Sequence, residues 1–224
     1  KSAGKLPYGA YGELFWQQQC ETLLPIAQQV QAQGSLGESQ SFTLDIDDDT
    51  QLYGWLHHVN ETGVLHWKAA NLTAIDGLSL WLDHLVFCAL GGQGVSQMYG
   101  KNETQWCFKA LDEYQATALL KRYIEGYRKG LSEPLLLMTK SGWAWLTSCF
   151  DETKQQLDES EEIQEKAHQA FLNVLEGNYS REGECQDDYY QRVFESPNEA
   201  EIKEIKALAT TYLMPLLIYR ESNG

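Results

Sequence analysis

The sequence predicts an α/β fold with one mixed, mainly antiparallel sheet flanked by helices, followed by a helical C-terminal part. Two observations predict it. The periodicity runs in a fixed order: a helical stretch, three strand-like runs joined by tight turns, a long apolar helix, two shorter strands, and then helical patterns alone. All strands therefore fall in the first half and belong to a single sheet. The hydrophobic fraction of 43% over 224 residues is enough to fill a substantial core. The expected organisation is one domain over 1–224, with a helix-plus-sheet core at 1–110 and a mostly helical completion at 111–224.

The Gly-, Pro- and Tyr-rich stretch 4–12 reads as an opening loop. Residues 13–33 follow as a helix with Leu14, Phe15, Leu23, Leu24 and Val30 as its apolar positions, and the glycines in 34–37 end it. Strands are expected at 41–46, 52–59 and 63–68, connected by the acidic turn 47–50 and by Asn60-Glu61-Thr62-Gly63. An apolar helix at 77–90 is broken by Gly91-Gly92, and weaker strands at 95–99 and 104–108 turn about Lys101-Asn102. Helices at 112–130, 141–150, 161–175 and 199–217 complete the chain. The last follows Ser196-Pro197-Asn198, with Asn198 as N-cap and acids in its first turn. Its Ala207, Leu208, Leu213 and Leu216 are expected to face a core, and Pro215 should kink or stop it.

Several function classes are excluded by composition. Apolar runs such as 134–138 and 213–218 are far short of the roughly 20 residues that cross a bilayer. The segment 1–8 begins with Lys1 and has no apolar secretion signal, so the chain reads as part of a longer cytoplasmic polypeptide. Asn-x-Ser/Thr matches at Asn60, Asn71, Asn102 and Asn178 then carry no meaning for glycosylation. Five scattered cysteines, Cys20, Cys88, Cys107, Cys149 and Cys185, read as buried thiols and lack zinc-knuckle spacing. The formal charge of -15 opposes independent binding to DNA, because phosphate affinity comes mainly from Lys and Arg. Residues 151–204 hold 16 acids against 5 bases, either a solvated helical surface or a face for a basic partner. There is no G-x-x-x-x-G-K-[ST] loop for ATP.

The most informative stretch is Leu52-Tyr53-Gly54-Trp55-Leu56-His57-His58-Val59 followed by Val64-Leu65-His66-Trp67-Lys68. Two adjacent strands carrying G-x-x-D and D/E-x-K resemble the core of the PD-(D/E)xK nuclease superfamily, a restriction-endonuclease-like fold. There the two acids bind Mg²⁺, and the Lys, on the same strand face two positions later, helps activate water. On that template the acids fall at His57 and His66, and the Lys survives as Lys68. Magnesium prefers oxygen ligands, so neutral imidazoles are poor replacements and catalysis by that route should be absent. A plain hairpin with exposed histidines remains open, as does a transition-metal site at His57, His58 and His66. Against the latter, His57 and His58 are expected to face opposite sides of a strand.

A longer resemblance runs through the chain in order. The segment Leu6-Pro7-Tyr8-Gly9-Ala10-Tyr11-Gly12-Glu13-Leu14-Phe15-Trp16 opens it. Leu80-Trp81-Leu82-Asp83-His84, Ile124-Glu125-Gly126-Tyr127-Arg128, Ser141-Gly142-Trp143-Ala144-Trp145, Asp188-Tyr189-Tyr190-Gln191-Arg192 and Leu213-Met214-Pro215 continue it. Together these resemble the C-terminal domain family of exodeoxyribonuclease V gamma subunits (RecC). The resemblance implies a nuclease-like domain related to that of the beta subunit (RecB), with Trp16 standing near the place of a metal-binding His. It also implies a non-catalytic scaffold that docks the alpha subunit (RecD) and helps form DNA channels, with no cofactor of its own. Trp67, Lys68 and Lys101 are the candidate DNA contacts; Lys101 and Lys109 are too few to make a basic patch. Residual metal-dependent nuclease activity, with acids such as Asp45 or Asp47, is the alternative. A hydrolase using Asp187 and Asp188 is a third. Trp81, Phe87, Phe171 and Tyr212 read as core, whereas Trp55, Trp67 and Trp106 could face either way.

Overall fold

The computed structural model describes residues 9–194 and 197–221; the start of the opening loop and Ser196 lie outside them. The chain divides into two compact units. The described part of the first comprises 9–73, 79–117 and 221, and that of the second 74–78, 118–194 and 197–220.

In the first unit, helix α1 (Ala10–Ala32) precedes strands β1 (Glu38–Asp47), β2 (Thr50–Asn60) and β3 (Gly63–Trp67). Helix α2 (Ala74–Ala89), shared with the second unit, then leads to β4 (Ser96–Tyr99) and β5 (Gln105–Phe108). The five strands form one sheet in sequence order, antiparallel except between β3 and β4, so the predicted class holds. The parallel step follows from α2, which returns the chain to the end from which β3 began. Strands β1 and β2 pair from Glu38↔Val59 to Asp47↔Thr50, whereas β2 and β3 meet at Val59↔Val64 and Asn60↔Gly63. The β1–β2 hairpin therefore reaches well past the β2–β3 ladder. Gly63 has φ of 138°, and a Cβ there would lie 2.5 Å from the Val95 carbonyl oxygen, so the tight β2–β3 turn requires glycine.

Trp81, Leu80, Leu85 and Phe108 are fully buried between α2 and the sheet. A buried polar chain crosses that core. The Val64 N–H donates to Ser96 Oγ (3.0 Å), whose hydroxyl donates to His84 Nδ1 (2.8 Å). The remaining Nε2–H donates to the Lys109 carbonyl (3.0 Å), and this network assigns the tautomer.

The second unit contains α3 (Glu113–Ser132, from Ala118 onward), α4 (Thr139–Cys149), α5 (Glu161–Leu175), α6 (Asp188–Gln191), α7 (Glu199–Tyr212) and α8 (Met214–Ile218). Two small hairpins, 150–157 and 177–182, lie among them. Phe171, Leu146, Leu175, Ile205 and Leu213 centre its core. Asn198 caps α7 as expected: its carboxamide oxygen accepts from Ala200 and Glu201 N–H, and Glu201 accepts from Asn198 N–H. The predicted helix 199–217 is two helices, because Pro215 opens α8 where its missing N–H is not needed. The N-terminus of α4 is capped from 43 residues downstream. The Glu184 carboxylate accepts from Lys140 N–H (3.0 Å), Ser141 N–H (2.7 Å) and Ser141 Oγ–H (2.5 Å). Glu184→Ala is expected to lower the stability of the protein by about 2 kcal/mol in urea denaturation, with Glu184→Gln recovering part of the loss.

Several expectations are corrected. Leu14, Phe15, Leu23 and Leu24 are exposed, and α1 buries Gly12, Ile26 and Val30 instead. Ile26 and Val30 pack with Leu65 and Tyr99 to hold the helix on the sheet. The apolar residues outnumber what one helix face can bury. Ala207 is exposed, because the helical phase set by Ile205 and Ala209 turns it outward. Phe87 and Tyr212 are half-buried. Among the cysteines, Cys88, Cys107 and Cys149 are buried, Cys185 is half-buried and Cys20 is exposed on the outer side of α1. Trp106 turns inward, whereas Trp55 (62%) and Trp67 (40%) are exposed.

Candidate functional site

The positions that the nuclease template assigns to metal ligands lie in the first unit, around the end of the β2–β3 ladder. A bulge shapes this place. Between Glu38↔Val59 and Gln40↔Leu56 strand β2 carries one residue more than β1, and His58 takes φ of 55° to absorb it. Strict alternation of His57 and His58 therefore fails here. His57 Nδ1 is hydrogen-bonded to Ser39 Oγ (2.8 Å), while the His58 ring packs tilted on Trp67 with centroids 4.7 Å apart. Both imidazoles nevertheless act on the same neighbour. His66 is held below its ordinary pKa by burial first, then by His58 and His57.

Sequence reasoning missed the partner that His66 uses. Its Nε2 lies 3.3 Å from Asp83 Oδ2, contributed by α2. Burial raises the Asp83 carboxyl to about 6, against the pull of His57. With burial raising the Asp83 carboxyl and lowering His66, a neutral imidazole faces an ionised carboxylate near neutrality, and Asp83 takes up a proton as pH falls through about 6. The sequence signal for Asp83 was an acid set in the apolar run Leu80-Trp81-Leu82 to Leu85-Val86-Phe87 of α2.

Lys68 follows β3 directly: its N–H donates to the Tyr99 carbonyl (2.9 Å) and its side chain is exposed. Lys101 begins a 3-10 turn, and its N–H donates to the Ala70 carbonyl (2.9 Å). Trp67 pairs with Tyr99 in the β3–β4 ladder. The structure thus brings the backbones of Trp67, Lys68 and Lys101 to one end of the sheet. Trp16 does not join them. It is 60% exposed on the first half of α1, about 15 Å along the helix from Ile26, where α1 meets the sheet.

The alternative acids are otherwise engaged. Asp45 accepts from Gln51 Nε2 (2.8 Å), and Asp47 accepts from Asp49 N–H (3.2 Å) within the hairpin turn. Asp187 caps α6 by accepting from Tyr189 and Tyr190 N–H, which explains it without catalysis. No group of three His, Cys, Asp or Glu among the described residues is arranged to hold a metal ion. Likewise, no helix among them is long and apolar enough to cross a membrane.

The exposed face of the β1–β2 hairpin carries Tyr53 (79%), Trp55 and His57 at alternate positions. A family model of the RecC C-terminal domain matches residues 1–150. The chain belongs to the RecC C-terminal domain family. It is 37% identical over 222 residues, 99% of its length, to the RecBCD enzyme subunit RecC of Escherichia coli (strain K12). It is 35% identical over 215 residues, 96% of its length, to that subunit of Buchnera aphidicola subsp. Acyrthosiphon pisum (strain APS). In both cases the chain spans 20% of the relative, about a fifth of the subunit.

Proposed function

We propose that this RecC-type domain is a catalytically silent, nuclease-like scaffold over 1–224, which docks partner subunits within an ATP-driven helicase and nuclease, exodeoxyribonuclease V. That assembly would process DNA double-strand ends for recombinational repair in the cytoplasm, with a RecD-type alpha subunit and a RecB-type beta subunit as partners. The observation that carries the proposal is the state of the two ligand positions. Where a nuclease needs two hard oxygen donors, His57 is hydrogen-bonded to Ser39 and His66 lies 3.3 Å from Asp83. The charge of -15 favours a protein partner over independent DNA binding, and Trp67, Lys68 and Lys101 are the proposed DNA contacts within the complex.

Two measurements test this. The full-length subunit, incubated with linear DNA and Mg²⁺ or Mn²⁺, is expected to leave the DNA intact. Cleavage that disappears in Lys68→Ala would instead establish a residual nuclease. Calorimetric titration with the alpha subunit, and separately with forked DNA at low and moderate salt, should give tight, salt-tolerant protein binding and weak DNA binding.

A further inference from the structure

Strand β1 is an open edge of the sheet. Among the described residues it pairs with β2 alone, whereas beside β5 the Glu221 N–H donates to the Cys107 carbonyl (2.9 Å). An edge of ten residues presents a long row of N–H and C=O groups, and folded sheets normally block such a row with charge, Pro or a bulge. In β1 these devices stand only at the ends: bulges between Glu38 and Gln40 and between Asp45 and Asp47, and the charges of Glu38, Asp45 and Asp47. The middle, Gln40-Ser41-Phe42-Thr43-Leu44, has no charge, Pro or Gly. Such an edge accepts an extended segment, because extended backbone answers its alternating donors and acceptors.

Side chains specify the segment further. One face of the hairpin is packed, with Ile46 and Leu56 buried and Phe42 lying against Gly54. The other is open, and on it Ser41 pairs with Trp55 and Thr43 with Tyr53, all four exposed. The short hydroxyl side chains leave a trough between the edge and the two aromatic rings. A strand added outside β1 lies about 10 Å from β2, a span that a long side chain crosses.

Charge selects that side chain. Asp45, Asp47, Asp48 and Asp49 gather at the tip of this same hairpin, and residues 38–67 hold no Lys or Arg. Lys68 follows β3, two strands in from the edge. A Lys or Arg on the added strand therefore meets aromatic faces at Trp55 and Tyr53 and carboxylates at the tip. Phosphates would be repelled there, and β1 of a second copy would set its own acids against these in either strand direction. We infer that β1 accepts, as a further strand, an extended basic segment of a partner protein; this gives the docking role proposed above a mode and rests on that role.

The test uses the full-length subunit carrying Ser41→Lys with Thr43→Lys, two exposed edge positions where lysine fills the trough and repels a basic segment. Binding of the purified alpha and beta subunits is measured by calorimetry, and one of them is expected to bind about a hundredfold more weakly. Trp55→Ala should weaken the same partner about tenfold. Asp48→Asn with Asp49→Asn should weaken it several-fold at low salt, with the difference fading at high salt. In the unaltered complex, hydrogen exchange at alternate β1 amides should slow by at least about tenfold, a readout that docking on a side-chain face would not give. Leu23→Glu with Ala27→Glu, in the apolar groove of about 400 Å³ that Leu23, Ile26, Val30 and Trp67 line along α1, should leave binding unchanged.

Unchanged binding of both partners by the Ser41→Lys, Thr43→Lys variant overturns the edge assignment, as does binding with no slowing of β1 exchange. If the α1 variant alone loses binding, docking stands and only its location was wrong. If the unaltered subunit binds neither partner, the docking role fails and the edge assignment falls with it. Self-association of the subunit that the two lysines abolish overturns it in favour of a second copy, and a loss of forked-DNA binding instead of partner binding overturns it in favour of nucleic acid. A fall in the free subunit's melting temperature by more than a few degrees also overturns it, by placing another part of the same subunit at the edge.

Discussion

His84→Phe is expected to destabilise the protein by about 3 kcal/mol at pH 7.5, read as a lower urea midpoint with an unchanged slope. Phenylalanine keeps the ring that packs among Trp81, Phe87 and Phe108. It removes both ring nitrogens, stranding the buried Ser96 hydroxyl and the Lys109 carbonyl. The hydrogen bonds, not the shape, are then what is lost.

The deficit should shrink in acid. Burial pushes His84 down to about 4, against the hydrogen bond to the Lys109 carbonyl, while an unfolded histidine titrates near 6.5. Between those values the unfolded chain binds a proton that the folded chain refuses, so stability falls as pH drops from about 6.5 to 4. The unaltered protein should lose about 3 kcal/mol across that window from this group, and His84→Phe should not. Asp83 acts with the opposite sign. Its raised pKa, about 6, favours the folded state below the unfolded carboxylate value and loses that advantage as pH rises through about 6. Comparing the two proteins isolates the histidine, because Asp83 is common to both. A deficit that stays constant from pH 7.5 to 4 would refute the neutral, buried tautomer.

Phe171→Ala is the second large effect, expected at about 3–5 kcal/mol in the same measurement. Phe171 is fully buried at the centre of the second unit's core. Its ring stacks on His168 at 6.3 Å, and the Lys206 ammonium sits 5.5 Å from its centroid and 5.4 Å from that of Trp145. Lys206 also donates to His168 Nδ1 (3.1 Å), and burial holds both pKa values below their ordinary levels. Removing the ring opens a cavity and takes away one of the two aromatic faces beneath a partly desolvated cation. Phe171→Leu, which refills most of the volume without the π-face, should cost less than half as much.

Much of the fold was legible because it depends on local signals. The turn at Asn60 to Gly63, the break at Gly91-Gly92 and the Asn198 cap act through a few neighbouring residues, and each appears where spacing put it. Helix α1 shows where such reasoning stops. Its apolar positions were visible, but periodicity cannot say which of two apolar stripes meets the sheet, and Ile26 and Val30 won because Leu65 and Tyr99 meet them. The bulge at His58 likewise depends on which β1 residue lies opposite.

The candidate site divides the same way. By itself the sequence determined the α/β class, the family, and the presence of His57 and His66 on successive strands, since these depend on residue type and order along the chain. Only the tertiary structure decided that His66 faces Asp83, that His84 joins Val64, Ser96 and Lys109, and that Leu23 and Trp67 line one groove. Those pairings link residues far apart in the chain, and they arise from how strands and helices pack, which no local periodicity encodes.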